Sequence, residues 1–181
     1  MSGPFISGEG FYLRGVEADD LEAYGRWLDD SRVTEFLEMG SKPSRQSDRD
    51  AFWRTSQEAE DAVVFMICDK ASDRPVGTCG LYLIQWVCRR AQFNILIGEP
   101  DFWDKGFGRG ATSALLEYGF RTLNLESIQL GVNAENARAV RAYENAGFVH
   151  EGRRRRFVYC NGQYNDVLLM SVLRDEYLSG A

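Results

Sequence analysis

The chain has 181 residues, a length that suits one domain, and 44% of its residues are hydrophobic while 27% are charged, as in ordinary globular proteins. Its formal net charge of −6 argues against nucleic acid as a partner and favours a cationic substrate. No apolar run approaches the ~18 residues of a membrane-spanning helix, and residues 1–15 lack the pattern of a signal peptide, so the sequence predicts a cytoplasmic protein without a membrane partner.

The first third of the chain is predicted to form one strand and then several helices. The predicted elements are a strand over 11–14, a helix from Asp19, a short helix over 33–37, a loop over 39–47 and a helix over 48–60. The first helix is amphipathic, because Leu21, Tyr24 and Leu28 recur at helical spacing. These helices are expected to cover one end of a sheet.

Apolar runs in the middle of the chain predict an antiparallel meander. Residues 63–68 are almost continuously apolar and are followed by turn residues at 72–75. Two further strands are predicted over 76–86 and 91–97, with a turn at Arg89-Arg90 between them.

Three closely spaced glycines follow the last strand of this meander. Gly106, Gly108 and Gly110 lie with Lys105 and Arg109 where an apolar strand passes into an amphipathic helix. The first amides of a helix have no intrahelical acceptor, and glycine has no Cβ to hold a ligand away from them. Since the helix dipole also favours negative charge at this end, the stretch predicts an anion site of the kind that holds a pyrophosphate.

The rest of the chain is predicted to alternate strands and helices and to close with a hairpin. The predicted elements are a strand over 127–132, a helix over 136–146, a strand from Phe148 and a terminal hairpin of 157–160 and 166–173. Asn136 is a favoured N-cap residue, and Gly147 stands where helices often end. This order of elements predicts one mixed α+β domain over residues 1–181.

Some conspicuous side chains are interpreted as structural. The four cysteines lack the paired spacing of a metal site, so we predict reduced thiols and no metal ion. The four arginines at 153–156 are interpreted as a solvated strand edge or an interface, because the chain as a whole is acidic. His150, the only histidine, is interpreted as structural rather than catalytic.

With these motifs in place, the sequence resembles the GNAT superfamily of acyl-CoA-dependent N-acetyltransferases. The family's phosphate-binding motif is a basic or amide residue, two variable residues, glycine, one variable residue and then glycine or alanine, and residues 105–110 match it. Residues 133–148 resemble the family's later strand-helix element. The ending at 161–167, with Glu151-Gly152 before it, resembles the branch of the ribosomal-protein alanine acetyltransferases and spermidine acetyltransferases.

The resemblance implies a single-domain GNAT-like α+β fold, with a mixed, mostly antiparallel central sheet, helices on both faces and a splayed parallel strand pair that forms the CoA cleft. The splayed strands are expected at 91–97 and 127–132. Open strand backbone would then pair with the pantetheine arm of acetyl-CoA, while the amides of 106–110 hold the pyrophosphate. The expected cofactor-binding residues are Ile95, Leu96, Ile97, Lys105, Gly106, Phe107, Gly108, Arg109, Gly110, Asn136 and Tyr143.

The resemblance also suggests catalytic residues. Tyr143 matches a position whose hydroxyl protonates the departing CoA thiolate in many relatives, and the competing interpretation is a core aromatic residue. Relatives often carry a glutamate at one of two positions, where this chain has Gln92 and Gly131. Glu99 is the remaining candidate for the general base, beside proton loss through ordered water and backbone carbonyls.

The implied reaction is acetyl transfer from acetyl-CoA to a primary amine by direct attack in a ternary complex. The acceptor is left open between a protein N-terminus, a polyamine and another small amine. Acidic residues in the early helices and loop would attract a cationic acceptor or simply form a solvated helix face; they are Asp29, Asp30, Glu35 and Glu38. Trp86 is interpreted as a core residue or as part of the acceptor pocket.

An alternative of another class is a non-catalytic acyl-CoA-binding sensor on the same fold, motivated by the missing carboxylates at 92 and 131. The sequence is compatible with a homodimer through the terminal hairpin and does not determine the oligomeric state.

Overall fold

The computed structural model describes residues 3–37 and 42–180, and in these ranges it contains one eight-stranded sheet. The strands are β1 Ile6–Ser7, β2 Phe11–Arg14, β3 Val63–Asp69, β4 Pro75–Gln85, β5 Arg90–Ile97, β6 Ser127–Asn133, β7 Val149–Cys160 and β8 Gln163–Leu173. The helices are α1 Asp20–Asp29, α2 Ser31–Thr34, α3 Gln46–Glu58, α4 Phe107–Glu117, α5 Ala137–Asn145 and α6 Arg174–Ser179. The mixed α+β class predicted from the sequence is confirmed.

The strand order is β1-β2-β3-β4-β5-β6-β8-β7, and the predicted meander forms its first half. Every neighbouring pair is antiparallel except β5 and β6, which are parallel. Within the described ranges the short strand β1 and the closing helix α6 were not predicted. The predicted helix over 33–37 begins earlier, at Ser31, because the Asp30 side chain accepts a hydrogen bond from the Arg32 amide and caps it.

The parallel pair is joined over only a short length. Its register pairs Arg90 with Ser127, Ala91 with Ile128 and Gln92 with Gln129, and no later residue of either strand is paired with the other strand. The carboxyl ends of β5 and β6 therefore open into a cleft, which confirms the splayed strand pair. Gln92 lies at the base of this cleft.

Alternating side chains of the strands enter two separate cores, one on each face of the sheet. On β3, Phe65 and Ile67 join the core beneath α4, whereas Val64 and Met66 join the core beneath α1 and α3. Helices thus cover both faces, as expected. In α1 the buried residues include Tyr24 and Leu28 of the predicted stripe, while Leu21 lies at the edge of the core.

The terminal hairpin differs from its predicted bounds. β7 runs without a break from Val149 to Cys160, although a register shift and a positive φ of 49° at Arg156 mark a bulge within it. The strand lies at the sheet edge and residues 153–156 are exposed, as both the solvated-edge and the interface interpretations require. The four cysteines are free thiols, and across the part of the chain that the structure describes, no helix is long and apolar enough to cross a membrane.

Candidate functional site

The glycine-rich stretch forms the start of α4, directly after β5. Gly106 adopts the left-handed conformation with φ of 85° and precedes the first helical residue, Phe107. The first intrahelical bond runs from the Gly110 amide to the Gly106 carbonyl, at 2.8 Å. The amides of 107, 108 and 109 precede that bond and have no intrahelical acceptor. We call these three donors the cradle, and anion binding there stays a prediction.

The three glycines of the cradle have different surroundings. A Cβ at Gly106 would meet nothing within 4 Å, and one at Gly108 would meet only Ile97 Cγ1 at 3.8 Å. A Cβ at Gly110 would lie 2.5 Å from Cε1 of the buried Phe11 ring. The first two glycines therefore leave the amides accessible, while Gly110 allows α4 to pack on β2 and uses its own amide inside the helix.

Two cations of the predicted set flank the cradle. The Lys105 ammonium group lies over the Phe102 ring, 5.3 Å from its centroid, and the Arg109 side chain is exposed. Neither forms an ion pair within residues 3–37 and 42–180. Phe107 contributes its amide only, because its side chain is buried against Phe11 and Phe102.

Strand β5 presents alternate backbone groups to the cleft. The Gly98 amide bonds to Val76 of β4, and the Arg89 carbonyl accepts from Ser127 of β6. Backbone direction alternates along a strand, so Ile95 and Ile97 face the cleft. By the same alternation the backbone groups of Leu96 point toward β4, as the Gly98 amide does, so the structure gives no support to a backbone contact between Leu96 and the cofactor.

The far side of the cleft is built by β6 and α5. Asn136 caps α5, as predicted, with its side-chain oxygen accepting from the Ala139 amide at 3.1 Å. Its side-chain amide donors remain available. Arg138, which the sequence did not single out, stacks over Trp103 of the opposite side, 4.4 Å from its ring centroid.

Tyr143 extends from α5 toward β5. Its half-buried ring makes edge-on contacts with Phe93 of β5 and with Phe148, at centroid distances of 6.0 and 5.7 Å. Burial raises the pKa of Tyr143 to about 12. In the described ranges no group hydrogen-bonds to its hydroxyl. The ring is therefore held by packing alone, and the hydroxyl proton is available to donate a hydrogen bond.

Glu99 follows β5 and is held by several donors. Its Oε1 accepts a hydrogen bond from the Trp27 indole at 2.9 Å and lies 3.6 Å from Arg26, while Oε2 pairs with Arg74. These contacts fasten the end of β5 to α1 and to the β3–β4 turn. These contacts give Glu99 a structural role in holding the end of β5. Its role as a general base stays a prediction.

Trp86 does not line the cleft. It lies in the turn between β4 and β5, and its indole donates to the Glu60 carbonyl at 3.2 Å. That turn is at the end where β5 and β6 are paired. The core interpretation of Trp86 is wrong, because its side chain is 51% exposed. Its place at the paired end of β5 and β6 gives the acceptor-pocket interpretation no support.

The acidic residues near α2 are partly engaged. Asp29 accepts from the Ser44 amide at 2.7 Å and Asp30 pairs with Arg32, while Glu38 lies outside the described residues. The Glu35 side chain is exposed, and its carbonyl accepts from Asn161 in the β7–β8 turn at 2.9 Å.

The terminal hairpin also contacts the end of β6, where the side-chain amide of Asn133 donates a hydrogen bond to Cys160 Sγ at 3.3 Å. The contact between Asn161 and the Glu35 carbonyl joins the β7–β8 turn to the end of α2.

Comparison with known proteins supports this geometry. The family model described as an acetyltransferase (GNAT) domain matches residues 11–149. A spermidine N(1)-acetyltransferase of Vibrio cholerae serotype O1 is 38% identical over 113 residues, which cover 62% of this chain and 65% of that enzyme. An uncharacterized N-acetyltransferase, p20 of Bacillus licheniformis, is 29% identical over 167 residues, covering 91% of this chain and 93% of that protein.

A solved structure is similar over nearly its full length. The crystal structure of spermidine N-acetyltransferase from Vibrio cholerae in complex with CoA and spermine superposes with a TM-score of 0.84 at 30% identity, covering 94% of this chain and 99% of that one. A splayed strand pair beside an open helix N-terminus thus defines an acyltransferase whose acyl donor is acetyl-CoA. The chain belongs to the GNAT acetyltransferase family.

Proposed function

We propose that the protein transfers an acetyl group from acetyl-CoA to a primary amine, and that the acceptor is an aliphatic polyamine. The observation that carries the proposal is the opening of β5 from β6 beyond Gln92 and Gln129, next to the free amides of the cradle. When bound there, acetyl-CoA supplies a thioester carbonyl as the electrophile and a thiolate as the leaving group.

The residues of the cleft suit the cofactor in two chemical respects. The amides of 107–109 and the charges of Lys105 and Arg109 supply donors for a pyrophosphate, and the open space around Gly106 and Gly108 leaves room for it. The cleft-facing backbone of Ile95 and Ile97 and the amide of Asn136 supply hydrogen bonds for the amide groups of a pantetheine arm. The Ile97 carbonyl already accepts from the Trp103 indole at 2.9 Å, so the Ile97 amide and both groups of Ile95 are the backbone partners that we assign.

This arrangement acts chiefly by positioning. Holding an amine and a thioester together in one cleft makes their encounter effectively intramolecular, which supplies ~7–11 kcal/mol of the barrier. A primary amine has a pKa of about 10.4, so at pH 7 about one molecule in a thousand is neutral. We assign removal of its proton to water that passes the proton to the solvent, because Gln92 and Gly131 provide no carboxylate at the two usual positions.

In this proposal Tyr143 stabilises the departing CoA sulfur as a hydrogen-bond donor. With a pKa raised to about 12 by burial, its hydroxyl stays protonated through the physiological range. A thiol has an ordinary pKa of about 8.5, so its thiolate is less basic than the tyrosinate of Tyr143. The hydroxyl therefore stabilises the negative charge of the departing sulfur mainly by donating a strong hydrogen bond. The proton that the amine releases then neutralises the thiolate.

The polyamine acceptor is supported by charge and by the relatives. The protein is acidic overall, and the exposed Glu35 lies after α2, where its carbonyl accepts a hydrogen bond from Asn161 of the β7–β8 turn. Related proteins include spermidine acetyltransferases of Vibrio cholerae and Escherichia coli. A dodecameric form is described for the Vibrio cholerae enzyme, and the homodimer expected here stays a prediction.

Release of free thiol from acetyl-CoA tests the acceptor assignment, with spermidine compared with butylamine. Both offer a primary amine, but spermidine carries additional positive charges. We expect a KM at least about tenfold lower for spermidine, with the difference shrinking as salt is raised. Equal KM values for the two amines, or turnover confined to an alanine-terminated peptide, would contradict a polyamine acceptor.

Replacement of Glu99 by glutamine separates anchoring from base catalysis. The glutamine oxygen can still accept from the Trp27 indole, whereas the ion pairs with Arg74 and Arg26 are lost. We expect a lower melting temperature and a kcat within about threefold of wild type, because general base catalysis is typically worth about 10²–10⁴. A hundredfold loss of kcat together with a changed pH–rate profile would instead identify Glu99 as the base.

A further inference from the structure

Arg138 and Trp103 meet although they belong to opposite sides of the cleft. Trp103 lies in the segment between β5 and α4, just before the cradle, and Arg138 lies in the first turn of α5, after β6. The guanidinium carbon is 4.4 Å from the centre of the Trp103 ring. This contact joins the cradle side of the cleft to the side that carries Asn136 and Tyr143.

Trp103 is a fixed platform for this contact. Its indole N–H donates to the Ile97 carbonyl at 2.9 Å, at the end of β5. The ring also packs against the partly buried edge of the α1–α3 core. Its orientation therefore follows from the strand that borders the cleft and does not depend on a ligand.

Within the described ranges, Arg138 brings a charge without an ion-pair partner to the ring of Trp103, which precedes the cradle in the chain. The side chain is exposed, and it forms no ion pair with any carboxylate that the structure describes. A guanidinium that stacks by its flat face keeps its N–H donors at the edge of the plane. Arginine can bind a phosphate group through two such donors.

We propose that Arg138 is a phosphate-binding residue of the cofactor cleft, held by the Trp103 ring so that it reaches from α5 to a phosphate of CoA. The inference rests on the proposed function, since it concerns the same cleft. It adds a cation from the β6 side to the amides and cations of the β5 side. Binding of the cofactor then fastens α5, with Tyr143, to the cradle.

Calorimetric titration with CoA tests this assignment without relying on activity. We expect Arg138→Gln to raise the Kd of CoA about tenfold at low salt, because one charge-assisted phosphate contact is lost. The loss is expected to be smaller at about 0.5 M NaCl than at about 0.05 M, as screening weakens the wild-type contact. Arg138→Lys, which retains the charge without the planar fork, should recover only part of the affinity.

Arg141 supplies a matched control on the same helix. It is also exposed and without an ion pair in the described ranges, but it makes no contact with Trp103. We expect Arg141→Gln to change the Kd of CoA by less than about twofold. Titration with 3′-dephospho-CoA locates the contact: a loss that persists assigns Arg138 to the pyrophosphate, and a loss that disappears assigns it to the 3′-phosphate.

The inference is overturned if Arg138→Gln binds CoA like wild type, or if Arg141→Gln is weakened equally, which would indicate a general charge effect. A wild-type protein that fails to bind CoA at all would contradict the proposed function itself, and this inference with it. The two failures are thus distinguished by the wild-type titration.

Discussion

Replacement of Gly108 by glutamate should raise the dissociation constant of CoA by about a hundredfold or more while leaving the protein folded. The position has room for a side chain, since a Cβ would meet only Ile97 Cγ1 at 3.8 Å. It lies among the free amides at the start of α4, where the proposed pyrophosphate sits. A carboxylate there adds like-charge repulsion, which typically costs several kcal/mol, and its Cβ covers the backbone donors.

Two further variants separate charge, size and folding in this experiment. Gly108→Gln has the same size without the charge and should weaken CoA binding less than glutamate does. Gly110→Ala should instead lower the melting temperature, because its Cβ would lie 2.5 Å from Cε1 of the buried Phe11 ring and overpacking typically costs about 1–3 kcal/mol. Calorimetry and thermal unfolding report the two effects. Unchanged CoA affinity in a folded Gly108→Glu protein would remove the cradle from the cofactor site.

Replacement of Tyr143 by phenylalanine should lower kcat about a hundredfold with little change in the Kd of CoA. The ring contacts with Phe93 and Phe148 would remain, and no group of the described chain loses a hydrogen bond when the hydroxyl is removed. The loss falls on the transition state, where proton donors are typically worth about 10²–10⁴. Steady-state kinetics with a saturating acceptor measures it.

Tyr118 offers a control for this substitution. It is also a partly buried tyrosine whose pKa is raised by burial, but it packs against Phe5 and Phe65, away from α5. Tyr118→Phe is expected to keep its kcat within about twofold. Equal turnover in wild type and Tyr143→Phe would return Tyr143 to a purely structural role.

The elements around the cofactor cleft were predictable because local physics determines them. The glycine spacing of the cradle, the Asn136 cap and the strand patterns of the meander depend on backbone preferences and hydrophobic periodicity, which are visible in the sequence. Family resemblance then placed them in one fold. The pairing of β6 with β8 was not predicted, since pairing between distant strands leaves no local signal.

Several side chains could not be placed by sequence alone. Glu99 follows β5 directly, yet its carboxylate is bound by residues of α1 and the β3–β4 turn, distant in sequence. Leu96 was predicted to bind the cofactor together with Ile95 and Ile97. Which residues of β5 turn their backbone groups toward β4 depends on the register of the two strands, which the sequence does not show. Arg138 belongs to the recognised motif, but only the approach of α5 to the cradle reveals its contact with Trp103.

The most direct test of the proposed function measures acetylspermidine by mass spectrometry and free thiol in the same reaction, starting from purified protein, acetyl-CoA and spermidine. We expect equimolar acetylspermidine and CoA, with formation of both abolished in Gly108→Glu. Tight CoA binding without acetylation of spermidine or any other amine would contradict the enzyme and leave an acyl-CoA-binding sensor on the same fold.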